Sequence, residues 1–152
     1  MVSAGLLMYN IISEPKIFLV HPGGPFFKNK DEGWWTIPKG LPLAGEELLD
    51  SAIREFEEET SIKPTGPYYE LGAIKQKGGK TVHCWAFEGE WYPDKGIVCN
   101  DFEMEWPPNS GKLQHFPEVD KAEWMSFESA HQKINSKQSV FLQRLKEYFS
   151  TL

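Results

Sequence analysis

The chain has 152 residues, of which 40% are hydrophobic and 14% aromatic, a composition that predicts one domain over residues 1–152 with its own buried core. Its formal net charge of −6 argues against a nucleic-acid partner, because phosphate backbones are bound by basic surfaces. No apolar run approaches the roughly 18 residues of a membrane span. The sequence has no signal-peptide pattern, and its two cysteines lack metal-ligand spacing, so we expect reduced thiols in the cytoplasm.

The first half of the chain predicts three strands, a turn-rich loop and one helix. Alternating or continuous apolar runs predict strands at residues 2–10, 17–20 and 34–37. Residues 38–45 contain two prolines and two glycines and predict a loop. Apolar residues at helical spacing predict a helix over residues 46–60.

The second half predicts two more strands at residues 69–77 and 81–91, joined by a glycine turn at Gly78 and Gly79. Residues 93–117 are predicted to be irregular. A last strand is expected at residues 123–127, followed by helices at 128–134 and 139–149. Strands and helices therefore mix without regular βαβ alternation, which indicates an α+β domain.

The predicted helix at 46–60 carries an unusual density of acids. Between Glu46 and Glu59 there are seven acidic residues and one basic residue, Arg54. At about 100° per residue, Glu55, Glu58 and Glu59 fall in one quadrant beside the apolar stripe. Like charges at this spacing cost about 0.2–0.5 kcal/mol per pair, so a bound cation would relieve them. Such hard oxygen ligands suit Mg²⁺, or Mn²⁺ in its place. The alternative is an acidic, solvated helix face.

Residues 40–62 follow the spacing G-x5-E-x7-R-E-U-x-E-E-x-x-U, where U is a bulky apolar residue. This pattern resembles the metal-binding box of the Nudix, or MutT-like, hydrolase family. The resemblance implies an α/β/α sandwich with a central mixed sheet and a Mg²⁺-dependent phosphoanhydride hydrolase. The family normally has glycine at the position of Ser61, which puts the geometry of the helix end in question.

The resemblance also implies roles for residues of the box. Glu55, Glu58 and Glu59 would ligate metal, and Arg54 would orient one of these carboxylates. Glu46 would support the start of the helix or a metal-bound water.

The approach to the box implies substrate contacts. Pro38-Lys39-Gly40 is similar to the branch of the family that acts on diadenosine polyphosphates and diphosphoinositol phosphates. Lys39 and Gly40 would then contact the substrate phosphates. Lys80, beside the predicted glycine turn, is a further candidate for binding phosphate, and a solvated surface lysine is the alternative.

The catalytic base is predicted downstream of the box. Glu105 and Glu103 are the candidates for this catalytic role, because several family branches place a glutamate on a distant loop. The alternative is that both are surface acids on a segment whose apolar residues pack inward. Glu118 is a third candidate.

The predicted function is hydrolysis of a dinucleoside polyphosphate such as diadenosine tetraphosphate, with a small-molecule nucleotide as the partner and the protein as monomer or homodimer. Nucleoside triphosphates, ADP-ribose and diphosphoinositol phosphates are alternative substrates. A non-catalytic, nucleotide-binding Nudix-like module is the alternative of another class.

Overall fold

A computed structural model describes all 152 residues, which form eight strands and three α-helices. In chain order these are β1 (Val2–Ile11), β2 (Pro15–Pro22), β3 (Lys39–Gly40), α1 (Leu48–Thr60), β4 (Tyr69–Gln76), β5 (Lys80–Glu88), β6 (Asp101–Glu105), β7 (Leu113–Pro117), β8 (Val119–Met125), α2 (Phe127–Lys133) and α3 (Ser139–Ser150). None of the helices is long and apolar enough to cross a membrane.

The central sheet has the strand order β4-β5-β1-β2-β8. Strands β1 and β5 run parallel, while the other neighbours are antiparallel. The short strand β3 joins β1 through the pairs Gly5–Lys39 and Ala4–Gly40. The sheet is therefore mixed, and β3 ties the segment before α1 to the start of its central strand.

Side chains of the sheet alternate between two buried layers. On one face Leu7, Leu19 and Cys84 belong to a core that includes Phe141 and Leu145 of α3. On the other face the buried side chains pack with α1; they are Leu6, Met8, Phe18, Trp85 and Phe87 from the strands with Ala52 and Phe56 from the helix. Helices thus cover both faces of a mixed sheet, which confirms the predicted α/β/α sandwich.

The segment at residues 34–37 is not a strand of the sheet, although its apolar residues predicted one. It makes only isolated bridges, Val20 to Thr36 and Trp35 to Ile134. Trp35 N–H donates to the carbonyl of Lys133, the last residue of α2, at 3.0 Å, while Thr36 exchanges two backbone bonds with Val20 of β2. The segment therefore bridges two elements as it approaches β3.

The prediction that residues 93–117 are irregular is wrong for the second part of this segment. Strands β6 and β7 form a separate two-stranded antiparallel sheet. Residues of β6 alternate between exposed acids and half-buried apolar side chains, which is the period of a strand with one packed face. Prolines and a glycine in the intervening turn concealed the hairpin in the sequence.

Candidate active site

Gly40 lies directly against the carboxylate of Glu55. A Cβ atom on Gly40 would stand 2.0 Å from Glu55 Cδ and 2.2 Å from Glu55 Oε2, far inside van der Waals contact. Any side chain at position 40 would clash with Glu55. Only glycine therefore lets α1 bring Glu55 against β3. The sequence assigned Gly40 to the substrate; the structure adds a steric role toward Glu55.

Arg54 is the centre of an ion-pair network that joins the loop to the helix. Its Nε donates to Glu46 Oε2 and its Nη2 to Glu46 Oε1, both at 2.9 Å. Its Nη1 donates to Glu55 Oε1 at 2.9 Å and to Glu58 Oε2 at 3.1 Å, and Nη2 also donates to the carbonyl of Leu41 at 3.0 Å. Arg54 therefore orients Glu55 and Glu58 while holding the loop in place.

The two hydrogen bonds from Arg54 also favour the ionised form of Glu46. Hydrogen bonds from Arg54 and then from the backbone of Leu43 lower the pKa of Glu46 to about 2. The Glu46 N–H donates to the Leu43 carbonyl, and the Glu46 carboxylate accepts from the Leu43 N–H. Glu46 therefore closes the turn ahead of α1. Glu46 is thus a structural anion bound to Arg54, as expected for a residue that supports the helix start.

Glu59 is the most strongly perturbed carboxylate of the protein. Burial, and then the negative charge of Glu55, raise the pKa of Glu59 to about 8. Its Oε2 atom is buried and has no hydrogen-bond partner. The charge of Lys39 and a hydrogen bond from its backbone partly oppose the pKa shift of Glu59, and burial chiefly lowers the pKa of the Lys39 amine. A buried acceptor without a donor, in a cluster of like charges, is the environment that a bound cation relieves.

Two further carboxyls share this environment. Burial raises the pKa of Glu55 even though Arg54 opposes the shift. Partial desolvation, followed by the charges of Glu55 and Glu58, raises the pKa of Glu118, although its side chain is exposed. No three acidic side chains stand in coordinating positions. Arg54 occupies one oxygen each of Glu55 and Glu58. The oxygen donors, their mutual repulsion and the unpartnered Glu59 atom fit a hard divalent cation.

The three acids downstream of the box lie in two places, with Glu103 and Glu105 on the β6–β7 hairpin and Glu118 after it. Glu103 pairs with His115 at 3.2 Å, and the carboxylate of Glu105 accepts the Asn109 amide at 2.6 Å. Both lie exposed on the β6–β7 hairpin, with contacts that belong to the hairpin itself. Glu118, between β7 and β8, is the acid whose charge is coupled to Glu55 and Glu58. The structure therefore brings Glu118 to the box, and its sequence neighbourhood gave only a weak signal for it.

Two lysines accompany the carboxylates. Lys39 pairs with Gly5 near the start of β1, and Lys80 begins β5, whose next residue Thr81 is paired with Val2. The charge of Lys80 contributes to the lowered pKa of Lys39, which places both amines in one electrostatic field. Lys80 is itself exposed, as are Lys75 near the end of β4 and Lys77 on the adjoining turn.

Ser61 ends α1 in the left-handed conformation, with φ 63° and ψ 11°. Its Oγ accepts the amide N–H of Val98 at 3.2 Å. The helix therefore ends with the geometry that glycine favours, and the serine hydroxyl adds a bond to a distant loop.

Sequence reasoning did not find Gln138, a buried residue that positions the approach to the box. Its Oε1 accepts from the Ile37 amide and from Thr36 Oγ1, each at 3.1 Å. The partners are about a hundred residues apart in the chain, so no local pattern could reveal them. This bond fixes the segment that leads into Lys39 and Gly40.

A cavity of about 860 Å³ opens elsewhere, around Trp91, Tyr92 and the end of β1. Asn10, which lines it, is six residues along β1 from the Ala4–Gly40 pair, or about 20 Å at the rise of a strand. The residues that line this cavity have no set of coupled charges comparable to the carboxylate cluster.

Comparison with known proteins agrees with this arrangement. Residues 1–145 match the model of the NUDIX domain, and the chain therefore belongs to the NUDIX family. The mRNA-decapping protein g5R of African swine fever virus (isolate Warthog/Namibia/Wart80/1980) is 30% identical over 115 residues, covering 72% of this chain and 43% of that protein. The chain thus corresponds to less than half the length of this relative.

Solved structures show the same fold. A C. elegans Ap4A hydrolase in a binary complex superposes with a TM-score of 0.68 at 20% identity, covering 99% of both chains. The NUDIX domain of Shewanella oneidensis NrtR complexed with ADP ribose also gives a TM-score of 0.68, at 14% identity, and covers 98% of this chain and 88% of that one. At these identities the likeness establishes the architecture.

Proposed function

We propose that the protein is a Mg²⁺-dependent pyrophosphohydrolase that cleaves a phosphoanhydride bond in a dinucleoside polyphosphate such as diadenosine tetraphosphate. The observation that carries this proposal is the coupled carboxylate cluster on α1, with the buried, unpartnered oxygen of Glu59 beside Lys39. An acidic, solvated helix face would have no reason to bury such a group.

Glu55, Glu58 and Glu59 would hold Mg²⁺, or Mn²⁺ in its place. A bound divalent cation supplies Lewis-acid polarisation of phosphoryl oxygens and stabilises the charge of the leaving phosphate. Arg54 keeps Glu55 and Glu58 turned toward one another through its Nη1 bonds. Lys39 and Lys80 provide positive charge for the phosphates, and the backbone at Gly40 leaves room beside Glu55.

Glu118 is the residue that we propose takes the proton from the attacking water. Its side chain is exposed, like those of Glu103 and Glu105, but its pKa is raised by partial desolvation and by the acids of the box. A raised pKa makes a carboxylate a better proton acceptor near neutral pH. Glu105 and Glu103 were the candidates from the sequence. Their carboxylates are engaged with Asn109 and His115 within the hairpin, which favours Glu118.

A long polyphosphate is favoured as substrate because two lysines accompany the carboxylates. Each additional phosphate adds negative charge that Lys39 and Lys80 can pair. The fold shared with C. elegans Ap4A hydrolase supports the same substrate class.

Cleavage of an mRNA cap is a second candidate, supported by the 30% identity to a viral protein named for decapping. The net charge of −6 speaks against an extended RNA surface. Recognition restricted to the cap end would be compatible with this charge.

The test is hydrolysis of a panel with Mg²⁺: diadenosine tetraphosphate, ATP, ADP-ribose and a short capped RNA, with products separated by chromatography. We expect the highest kcat/KM for diadenosine tetraphosphate. A higher kcat/KM for capped RNA would favour the second candidate. Nucleotide binding without hydrolysis of any member would make the protein a non-catalytic module.

A further inference from the structure

The β6–β7 hairpin has one aromatic face and one charged face. Strand alternation places half-buried apolar side chains on one side and exposed acids on the other. The inward side chains of β6 are Phe102 and Met104, and the outward ones are Asp101, Glu103 and Glu105. Trp106, directly after β6, is half-buried like the inward residues. Phe116 of β7, opposite Phe102, joins the inward face. The aromatic face thus receives no acidic side chain from β6, so an anionic ligand can approach it.

The loop after β2 packs against this aromatic face at two glycines. A Cβ on Gly23 would stand 1.9 Å from the Pro117 carbonyl, and one on Gly24 would stand 2.7 Å from Phe102 Cζ. The Gly23 amide also donates to the Glu118 carbonyl at 2.9 Å. The loop and the start of the hairpin are therefore fixed to each other beside Glu118, the proposed catalytic base.

Farther along the hairpin, the same loop presents an exposed ring. Phe26 and Trp106 have centroids 5.4 Å apart and an interplanar angle of 80°. In this edge-on arrangement the rings do not stack over one another, and 60% of Phe26 is exposed. An exposed aromatic ring held in position by a second ring is suited to stack on a planar ligand.

The hairpin separates Trp106 from Glu118, the proposed base, by a span that a long substrate can cover. Trp106 lies five residues beyond Asp101, which pairs with Pro117 next to Glu118; at the rise of a strand this is about 17 Å. A chain of several phosphates ending in a nucleoside can cover such a span. Exposed Lys28, Lys30 and Lys112 belong to the same loop and turn and offer positive charge for the phosphates in between.

We propose that Phe26 and Trp106 form the binding surface for the distal nucleobase of a nucleoside polyphosphate whose reacting phosphate lies at the α1 carboxylates. This inference rests on the proposed hydrolase function. It identifies the aromatic residues that would make the protein select a base-bearing substrate over a bare polyphosphate.

The test compares Phe26→Leu and Trp106→Leu with the wild type. Leucine keeps an apolar side chain and removes the aromatic face. Tyr92→Leu is the matched control, because Tyr92 is 57% exposed but lies beside the cavity at the far end of β1. For each protein we would measure kcat and KM for diadenosine tetraphosphate, and the inhibition constant of inorganic tetrapolyphosphate, which has no base.

We expect KM for diadenosine tetraphosphate to rise about 5- to 100-fold in both variants with kcat little changed, since stacking is lost in the ground and transition states alike. The inhibition constant of tetrapolyphosphate should stay at the wild-type value, as should all constants of the control. An unchanged KM in both variants would overturn the base surface while leaving the hydrolase function intact. An equal rise in KM and in the tetrapolyphosphate constant would also overturn it, because the loss would then not concern the base.

If the wild type hydrolyses no nucleotide, the proposed function fails. Calorimetric measurement of diadenosine tetraphosphate binding then tests whether Phe26 and Trp106 bind the base. Weaker binding by both variants than by the control supports the surface. Equal binding by all four proteins overturns it.

Discussion

Gly40→Ala should inactivate the protein while leaving it folded. The new methyl group would stand 2.0 Å from Glu55 Cδ, whereas an ordinary carbon contact is about 3.5–4.0 Å. The Glu55 carboxylate must therefore retreat by more than about 1 Å, which breaks its 2.9 Å bond with Arg54. Misplacement of this size can cost about 10²-fold, so we expect kcat/KM to fall by about that factor. The backbone at Gly40 does not have positive φ, so alanine adds no conformational strain.

The assay is steady-state hydrolysis of diadenosine tetraphosphate with Mg²⁺, accompanied by urea unfolding. Gly33→Ala is the control: Gly33 has φ 84° and no neighbour within 4 Å of an added Cβ. That variant should lose about 1 kcal/mol of stability and retain activity. Wild-type kcat/KM in Gly40→Ala would refute the reasoning, because it would mean that the position of Glu55 does not matter.

Four other changes test separate parts of the account. Ser61→Gly should raise the free energy of unfolding in urea by about 0.5 kcal/mol, since release of left-handed strain of about 1 kcal/mol outweighs an exposed hydrogen bond; a clear loss of stability would contradict this. In EDTA, the free energy of unfolding should fall as pH rises from 4.5 toward 8, because the raised pKa of Glu59 means that the folded state holds a proton over this range which the unfolded state has lost. Glu59→Gln should flatten that slope, and an unchanged slope would assign it to another group. Glu118→Gln should lower kcat about 10²–10⁴-fold; if Glu105→Ala carries the loss instead, the base is the one indicated by the sequence. Lys80→Ala should raise KM for diadenosine tetraphosphate more than for ATP, and equal effects on the two would remove Lys80 from the phosphate site.

The box could be located from the sequence because its signals are local. Periodicity placed Glu55, Glu58 and Glu59 on one helix, and the helix begins only two residues later than predicted. Strands β1, β2, β4 and β5 were likewise visible as apolar runs, whereas β3 lies in the predicted loop and β8 begins four residues before the predicted strand. Both features depend on residues a few positions apart, where a single sequence is informative.

Features that depend on distant contacts were not visible. The buried amide of Gln138 holds Ile37 from the other end of the chain, and the coupling of Glu118 to Glu55 requires the tertiary fold. The β6–β7 hairpin was missed because its turn is rich in proline and its strands have only one half-buried face. The strand expected at residues 34–37 was wrong because Trp35 bonds to the end of α2, and only Thr36 forms a bridge to β2.

The most direct test of the metal-dependent hydrolase is a Mg²⁺ titration of diadenosine tetraphosphate hydrolysis by the wild type, Glu58→Gln and Glu57→Gln. Glu58 is bonded to Arg54 at the carboxylate cluster, whereas Glu57 is its exposed neighbour on the same helix. We predict turnover that is abolished by EDTA in the wild type, lost by orders of magnitude in Glu58→Gln and retained in Glu57→Gln. Hydrolysis that persists in EDTA, or Glu58→Gln turnover near the wild-type value at saturating Mg²⁺, would contradict the account.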